Sequence, residues 1–392
     1  MNRKKILLLS LGISLVSALL IILLTTNKET IEAIREIRAE YILLAAGIRL
    51  LSFVISAKRT KYLCRALGYR IRTRYSLLNI LTGVFLAALT PSSVGGEPVR
   101  ILLLKRNASV PVGKGTAVVF MERFLDAAVI VGALLPSLYI ISQYAASKGA
   151  SFPELEVLLL TAAFVLTVVI GLCIYTILNP QKGKRLAHGL IGVLKKYAGR
   201  RYRDKIEKAE STVDAEIDIF CTSFRIFTTT GKVSLAVGFL ATVAEWTLYF
   251  MILWAILLGF NYEGSFASAV LLMFAVQVVL TIIMIIPATP GASGISELGA
   301  FALFSLFVPS PILGVVVITW RAVTYYVNLI AGLAAGMIAI RLYGKSALEG
   351  RIDPDDNPTR ISVREDETDP EDPTASPVEG KEPDTKTKTE NV

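Results

Sequence analysis

Apolar residues occur along this chain in long uninterrupted blocks, not at the helical or alternating spacing that a soluble core requires. A helix that crosses the hydrocarbon core of a bilayer needs about 20 mostly apolar residues. The blocks that reach or approach this length are Ile6–Leu24, Tyr41–Ala57, Thr116–Pro136, Val157–Leu178, Val233–Leu258 and Ile312–Ile340. The pattern predicts an all-α polytopic membrane protein with about six full spans, the first of them an uncleaved span and not a signal peptide.

Two further apolar stretches, Ser76–Leu104 and Phe266–Val308, are broken by runs of Pro, Gly, Ser and Thr. The first arm of the earlier stretch has about 13 residues before its break, which is too short for a span. We predict that each stretch enters the membrane and turns back as a re-entrant hairpin. The alternative is that both arms of each stretch cross fully and are joined by an extended link.

The charge of the loops predicts on which side of the membrane each loop lies, because Lys and Arg accumulate on the cytoplasmic side. The basic segments, predicted to be cytoplasmic together with both termini, are Lys58–Arg74, Lys105–Lys114 and Asn179–Gly231. The segments poor in Lys and Arg, predicted to be external, are Asn27–Glu40, Ser137–Glu156 and Gly259–Ser265. With this assignment the two hairpins open to opposite sides of a cell (inner) membrane.

Charge also divides the chain into two parts. The chain of 392 residues has a net charge of +9, but residues 345–392 hold 7 basic and 14 acidic residues, a balance of −7, which leaves +16 on residues 1–344. We therefore predict a membrane domain over 1–344 and a disordered acidic cytoplasmic tail over 345–392. Within the domain, the basic and amphipathic insert 179–231 should lie on anionic lipid; nucleic-acid binding is not expected.

Few residues of this chain are suited to enzyme chemistry. The three cysteines, Cys64, Cys173 and Cys221, are far apart, and His188 is the single histidine. Such a set offers neither a zinc site nor the histidine of a catalytic triad, and no phosphate-binding loop for a nucleotide is present. We expect a protein that is not an enzyme and needs no cofactor or metal.

The two broken stretches share an order of features: Leu-Thr, then Thr-Pro, then Glu, and then an arginine in the following span. In the first stretch these are Leu81-Thr82, Thr90-Pro91, Glu97 and Arg123, and in the second Leu280-Thr281, Thr289-Pro290, Glu297 and Arg321. Together with the opposite directions of the hairpins, this order predicts an inverted repeat. Repeats of this kind place a substrate near the midplane of the membrane.

Broken helices predict a hydrated cavity, since freed backbone groups inside a bilayer need protein or water partners. Charges within spans usually face such a cavity or each other, and free N–H groups at helix starts attract anions. The residues predicted to bind an anionic headgroup are Gly95, Gly96, Glu97, Arg100, Arg123, Gly291, Gly294 and Arg321. The candidates for proton or ion coupling, or alternatively for structural ion pairs, are Glu97, Glu122, Asp126, Glu245 and Glu297.

For two arginines, Arg100 and Arg49, the sequence pattern does not settle on one role. Arg100, at the exit of the first hairpin, has an equally weighted alternative, in which its side chain extends to the cytoplasmic surface. Arg49 lies in the middle of the second predicted span, and the pattern assigns it no role.

Three segments resemble a known family: Thr-Pro-Ser-Ser-Val-Gly-Gly-Glu-Pro-Val-Arg (90–100), Glu-Arg-Phe-Leu-Asp (122–126) and Thr-Pro-Gly-Ala-Ser-Gly-Ile-Ser-Glu (289–297). In this order they are similar to the flippase-like integral membrane family related to the transmembrane region of lysylphosphatidylglycerol synthases. Ser296 departs from the more glycine-rich pattern of that family, which ends in Arg-Glu. No soluble aminoacyl-transfer domain follows the last span, so lipid aminoacylation is not expected.

The resemblance implies a lipid flippase or transporter that moves phospholipid or polyprenyl-lipid headgroups between leaflets. Its expected partners are membrane lipids of the anionic phospholipid or polyprenyl-phosphate type. Two alternatives remain: a membrane-embedded lipid-modifying enzyme, and a non-catalytic envelope scaffold that binds another protein through its tail.

Overall fold

The computed structural model of this protein is helical, and its helices follow the apolar blocks of the sequence. It describes residues 37–90, 95–149, 217–261, 266–284 and 292–348, with residues 34, 35 and single positions between 157 and 181. We name the helices α1 (Ala39–Ala66), α2 (Thr73–Leu89), α3 (Gly96–Ala108), α4 (Val112–Ser147), α5 (Lys232–Gly259), α6 (Phe266–Ile283), α7 (Ile295–Phe304), α8 (Ser310–Arg321) and α9 (Val327–Leu348). Residues 217–228 are also helical.

Four helical segments are long and apolar enough to cross a membrane: α1, α4, α5 and the continuous stretch Ser310–Ala339. They correspond to four of the six predicted spans. Of the other two, Ile6–Leu24 lies outside the described residues, and only single helical positions of Val157–Leu178 are described. Since no strand occurs in the described ranges, the prediction of an all-α polytopic membrane protein is confirmed.

The first broken stretch forms a helical hairpin. Helix α2 ends at Leu89, and the Thr90 hydroxyl accepts the N–H of Gly95 at 3.0 Å, just before α3 begins. The arms run antiparallel, because Asn79 early in α2 donates to the carbonyl of Arg100 at 2.7 Å, whereas Gly83, one turn later, touches Gly96 at the start of α3. The break is confirmed, and the side of the membrane to which it opens stays a prediction.

The second broken stretch is likewise divided, into α6 and α7. Residues 285–291, which include Gly291, lie outside the described residues. Helix α7 begins after Gly294, whose φ of 90° is a left-handed conformation that glycine adopts without strain. Gly299 of α7 lies against Leu280 of α6, so the two arms pack on each other.

Helix α1 corrects the predicted boundary of the second span. The prediction ended this span at Ala57 and placed the basic residues from Lys58 onward in a cytoplasmic loop. The helix instead continues to Ala66, over 28 residues, and buries Arg59 to 3% exposure. The prediction was wrong for Arg59, because carboxylates on other spans hold its charge inside the protein.

The long helices expose apolar side chains on their outer faces, as expected for contact with lipid. On α1 these are Leu43, Leu44, Leu50 and Leu51. The opposite face of α1 packs against α5, where Gly238 lets Leu63 approach closely. Polar residues on that inner face, such as Arg49 and Ser56, therefore point away from lipid.

Glycine also sets the spacing between the first hairpin and the last span. A Cβ atom on Gly332 of α9 would overlap the Phe85 side chain and the Leu81 carbonyl of α2.

We expect Gly332→Ala to destabilise the protein by about 1–3 kcal/mol through overpacking. The measurement is the fall in the midpoint of thermal unfolding in detergent. The matched control is Gly336→Ala, one turn further along, where a Cβ atom meets nothing within 4 Å. Equal midpoints for the two variants would contradict this packing.

The opposite directions of the hairpins can be tested by cysteine labelling in a variant without the three native cysteines. Ser109 follows α3 and Ser305 follows α7, and both are exposed. Charge asymmetry predicts that Ser109→Cys is labelled from the cytoplasmic side and Ser305→Cys from the external side. Labelling of both positions from one side only would exclude an inverted arrangement.

Candidate functional site

A cavity of about 310 Å³ lies between the long helices and the two broken ones. Every helix from α1 to α9 except α7 contributes at least one side chain to its lining, and the contribution of α8 is its last residue, Arg321. The charged residues that line it are five arginines and three carboxylates: Arg49, Arg59, Arg100, Arg123, Arg321, Glu97, Asp126 and Glu245. The structure thus contains the polar cavity that the broken helices predict.

Arg59 of α1 joins three helices through its buried guanidinium group. Its Nη1 lies 2.6 Å from Asp126 Oδ1 of α4 and 3.3 Å from Glu245 Oε2 of α5. The Trp246 indole N–H also donates to Asp126 Oδ1, at 3.3 Å. Two carboxylates therefore balance the charge of Arg59, which lies inside the protein because α1 continues beyond the predicted end of its span.

Arg100 of α3 is buried in a second pairing, with Glu122 of α4. Its Nη2 lies 2.5 Å from Glu122 Oε2, and the Thr60 hydroxyl donates to the other oxygen of the same carboxylate. The Nε of Arg100 donates to Asn79 Oδ1 at 3.1 Å. The alternative in which Arg100 extends to the surface is therefore wrong, because its guanidinium has a complete set of partners between the helices.

The repeated Glu and Arg of the two broken stretches meet in both cases. Glu97 accepts from Arg123 Nε at 2.8 Å, and Glu297 accepts from Arg321 Nε at 2.9 Å. Arg123 also lies 3.1 Å from Asp126 of its own helix. The exposure of the two arginines differs, since 56% of the Arg123 side chain is exposed and 5% of that of Arg321.

Glu297 holds the start of α7 as well as Arg321. Its Oε2 accepts the backbone N–H of Gly294 and the hydroxyl of Ser296, each at 2.7 Å. This assigns a role to Ser296, the residue that departs from the family pattern.

Glu122 and Glu297 are both buried behind the cavity wall, whereas Glu97, Asp126 and Glu245 face the cavity. All five predicted carboxylates take part in ion pairs; coupling to protons or ions stays a prediction.

Three of the four predicted glycines, Gly95, Gly96 and Gly294, shape the helix breaks and are not among the residues that line the cavity. A Cβ atom on Gly95 would overlap the Thr90 side chain, and one on Gly96 would overlap the Gly83 carbonyl. Gly294 supplies the positive φ before α7. Gly95 and Gly96 thus allow close packing and Gly294 the turn before α7, while their contact with a headgroup stays a prediction; Gly291 lies outside the described residues.

Arg49 is the lining residue whose importance the sequence pattern missed. Its Nε donates to Asn328 Oδ1 at 2.9 Å, and its Nη1 donates to Ser52 Oγ at 3.0 Å. In contrast to the other four arginines of the cavity, it has no carboxylate at ion-pair distance among the described residues. The available signal was an arginine in mid-span with no acidic residue three or four positions away on its own helix.

The last span widens next to the cavity. Residues Ala322–Tyr326 form a π-helical turn, in which the N–H of Val327 donates to the carbonyl of Ala322 five residues earlier. Around this turn Arg321, Thr324, Tyr325 and Asn328 all line the cavity. Turns of this kind occur often at functional sites, since they interrupt regular helical packing.

Broken helices packed around a charged internal cavity define the protein as a polytopic membrane protein with a buried polar site. The family described as the lysylphosphatidylglycerol synthase TM region matches residues 7–332, and the chain belongs to this family. The resemblance stated from the sequence motifs is confirmed.

Relatives of the chain are membrane proteins of archaea. A UPF0104 membrane protein of Archaeoglobus fulgidus is 31% identical over 298 residues, which are 75% of this chain and 86% of the relative. A UPF0104 membrane protein of Methanocaldococcus jannaschii is 27% identical over 246 residues, 62% of this chain and 69% of the relative. A third, of Methanothermobacter thermautotrophicus, is 24% identical over 228 residues, 58% of this chain and 64% of the relative.

The Glu297–Arg321 pair provides a direct test of the buried network. We expect Glu297→Gln to destabilise the protein by about 3–5 kcal/mol, because it leaves the Arg321 charge buried without its carboxylate. Denaturant unfolding in detergent measures this change, and adding Arg321→Gln should restore part of the loss. The control is Glu40→Gln, whose exposed carboxylate pairs with Arg38 at the surface. A loss no larger than that of the control would show that the pair has no structural role.

Proposed function

We propose that this protein moves lipids with phosphate-bearing headgroups, of the anionic phospholipid or polyprenyl-phosphate type, between the leaflets of the cell (inner) membrane. The observation that carries this proposal is the wall of the cavity, where five arginines face three carboxylates between apolar spans. The guanidinium groups on this wall are charged hydrogen-bond donors, to which the oxygens of an anion can bind in a region of low dielectric constant.

The size of the cavity favours a headgroup over a whole lipid. Its volume of about 310 Å³ lies at the lower end of the range for small-molecule sites, roughly 300–1,000 Å³. A phosphate with a small alcohol fits such a space, whereas acyl or prenyl chains do not. The chains would stay in the bilayer while the headgroup passes through the protein.

Family membership supports a role connected with membrane lipids, since the family is named for a lipid synthase. In this proposal the protein itself modifies no lipid. The sequence has no nucleotide-binding loop, so transport would be passive or driven by an ion gradient. Glu97 is one of the candidates for proton coupling, because it lines the cavity and 23% of its side chain is exposed.

Reconstitution into liposomes tests this function. Vesicles contain fluorescent phosphatidylglycerol, phosphatidylcholine or a polyprenyl phosphate, and a membrane-impermeant reductant then bleaches the outer leaflet. We expect bleaching of the anionic lipids to exceed the outer-leaflet fraction only when the protein is present. Phosphatidylcholine should exchange more slowly, because its choline cation meets the arginines of the cavity.

A variant of the cavity connects the exchange to this site. Arg123→Gln should slow anionic lipid exchange by about tenfold or more, since a lost hydrogen bond to a charged group is worth about 1.5–3 kcal/mol. Lys148→Gln, at the exposed end of the same helix, is the matched control. The absence of exchange for every anionic and polyprenyl lipid would rule out the proposed lipid transport. A change in the mass of the lipid would instead indicate that the protein is a lipid-modifying enzyme.

A further inference from the structure

The geometry points to Arg49, with Asn328 beside it, as the site that binds the phosphate group of the transported lipid. This inference rests on the proposed function and adds to it the residue that holds the anion. The sequence pattern placed the headgroup at Arg123 and Arg321 instead. Both of those arginines already have carboxylate partners, Glu97 and Glu297.

The balance of charge around the cavity singles out Arg49. Arg59, Arg100, Arg123 and Arg321 each lie at ion-pair distance from one or two carboxylates. Within the part of the chain that the structure describes, Arg49 has only neutral partners, although it is just 8% exposed. An arginine stays protonated in a protein, so this guanidinium is a buried cation without its own counter-ion.

The guanidinium of Arg49 is held in place but not fully occupied. Asn328 fixes its Nε and Ser52 its Nη1, and the ring of Phe53 lies 4.2 Å beneath it. Nη2 has no hydrogen-bond partner among the described residues, and Arg49 lines the cavity. A donor prepared in this way binds an anion with little further loss of side-chain freedom.

The surroundings of Arg49 suit a phosphate oxygen. Asn328 lines the same wall, and its Oδ1 faces Arg49, so its amide nitrogen is a second donor nearby. Glu245 also lines the cavity, but its carboxylate lies 3.3 Å from Arg59 and belongs to that pair. The phosphodiester of a lipid and free inorganic phosphate both present oxygens of this kind, and the experiment separates these two sources.

The test measures binding and stability of the full-length protein in detergent. The probes are short-chain phosphatidylglycerol, inorganic phosphate and a neutral short-chain diacylglycerol. We expect Arg49→Gln to weaken binding of phosphatidylglycerol at least tenfold and Arg49→Lys to weaken it less, because a lysine keeps the charge but loses the fork of donors. Arg38→Gln, at the exposed start of the same helix, should bind as the unchanged protein does.

Asn328→Asp separates a binding role from a purely structural one. The new carboxylate would stand where the amide oxygen already accepts from Arg49, so it supplies the missing counter-ion inside the protein. We expect a higher thermal midpoint without ligand and at least tenfold weaker binding of phosphatidylglycerol. An arginine with only a structural role would give the higher midpoint and unchanged binding, which would overturn the assignment.

The outcomes distinguish this site from the proposed function. Binding that depends on Arg49, without lipid exchange in vesicles, would support the site and refute transport. Exchange that continues at the full rate in Arg49→Gln, with unchanged binding, would refute the site and leave transport standing. Binding of inorganic phosphate alone that is lost in Arg49→Gln would support an anion site for a free phosphate. Binding of the neutral diacylglycerol as tight as that of phosphatidylglycerol, and equally weakened in Arg49→Gln, would overturn the assignment of Arg49 to the phosphate group.

Discussion

The cost of placing charge in a medium of low dielectric constant governs this structure. Four arginines of the cavity each meet a carboxylate from another helix; these pairs join α1, α3, α4 and α5 to one another and, separately, α7 to α8. Lipid offers no solvation to a helix that separates from the others, so a separated helix would carry an unpaired charge into hydrocarbon. The ion pairs thus determine which helices belong together, a choice that apolar packing in lipid specifies only weakly.

The same constraint explains why the helices break where they do. A helix that ends within the protein exposes backbone groups, and here side chains satisfy them: Thr90 at the end of the first arm and Glu297 at the start of α7. Each break also brings a glutamate to an arginine on the following span. The breaks therefore serve two purposes, since they open a polar space and deliver the carboxylates that balance its cations.

The sequence allowed the class, four described spans, both helix breaks and the order in which Glu97 and Glu297 precede later arginines to be anticipated, but not that each glutamate pairs with its arginine. These features depend on apolar run length and on local residue order, which a single chain displays directly. The sequence did not reveal that Arg59 lies inside the protein. A basic residue next to Lys58 is assigned to a loop until the carboxylates that face it from α4 and α5 are known. Arg49 was missed for a related reason. The local pattern shows only that α1 itself offers Arg49 no carboxylate three or four positions away, whereas the lack of a partner on the other helices depends on how they assemble.

The close approach of α9 to α2 at Gly332 has a mechanical consequence. It packs α2, the first arm of the first broken hairpin, directly against the last helix, without room for a side chain between them. On α9, Asn328 lies one turn before Gly332 and accepts a hydrogen bond from Arg49. The position of the first hairpin and the orientation of the Arg49 guanidinium in the cavity are thereby connected through α9.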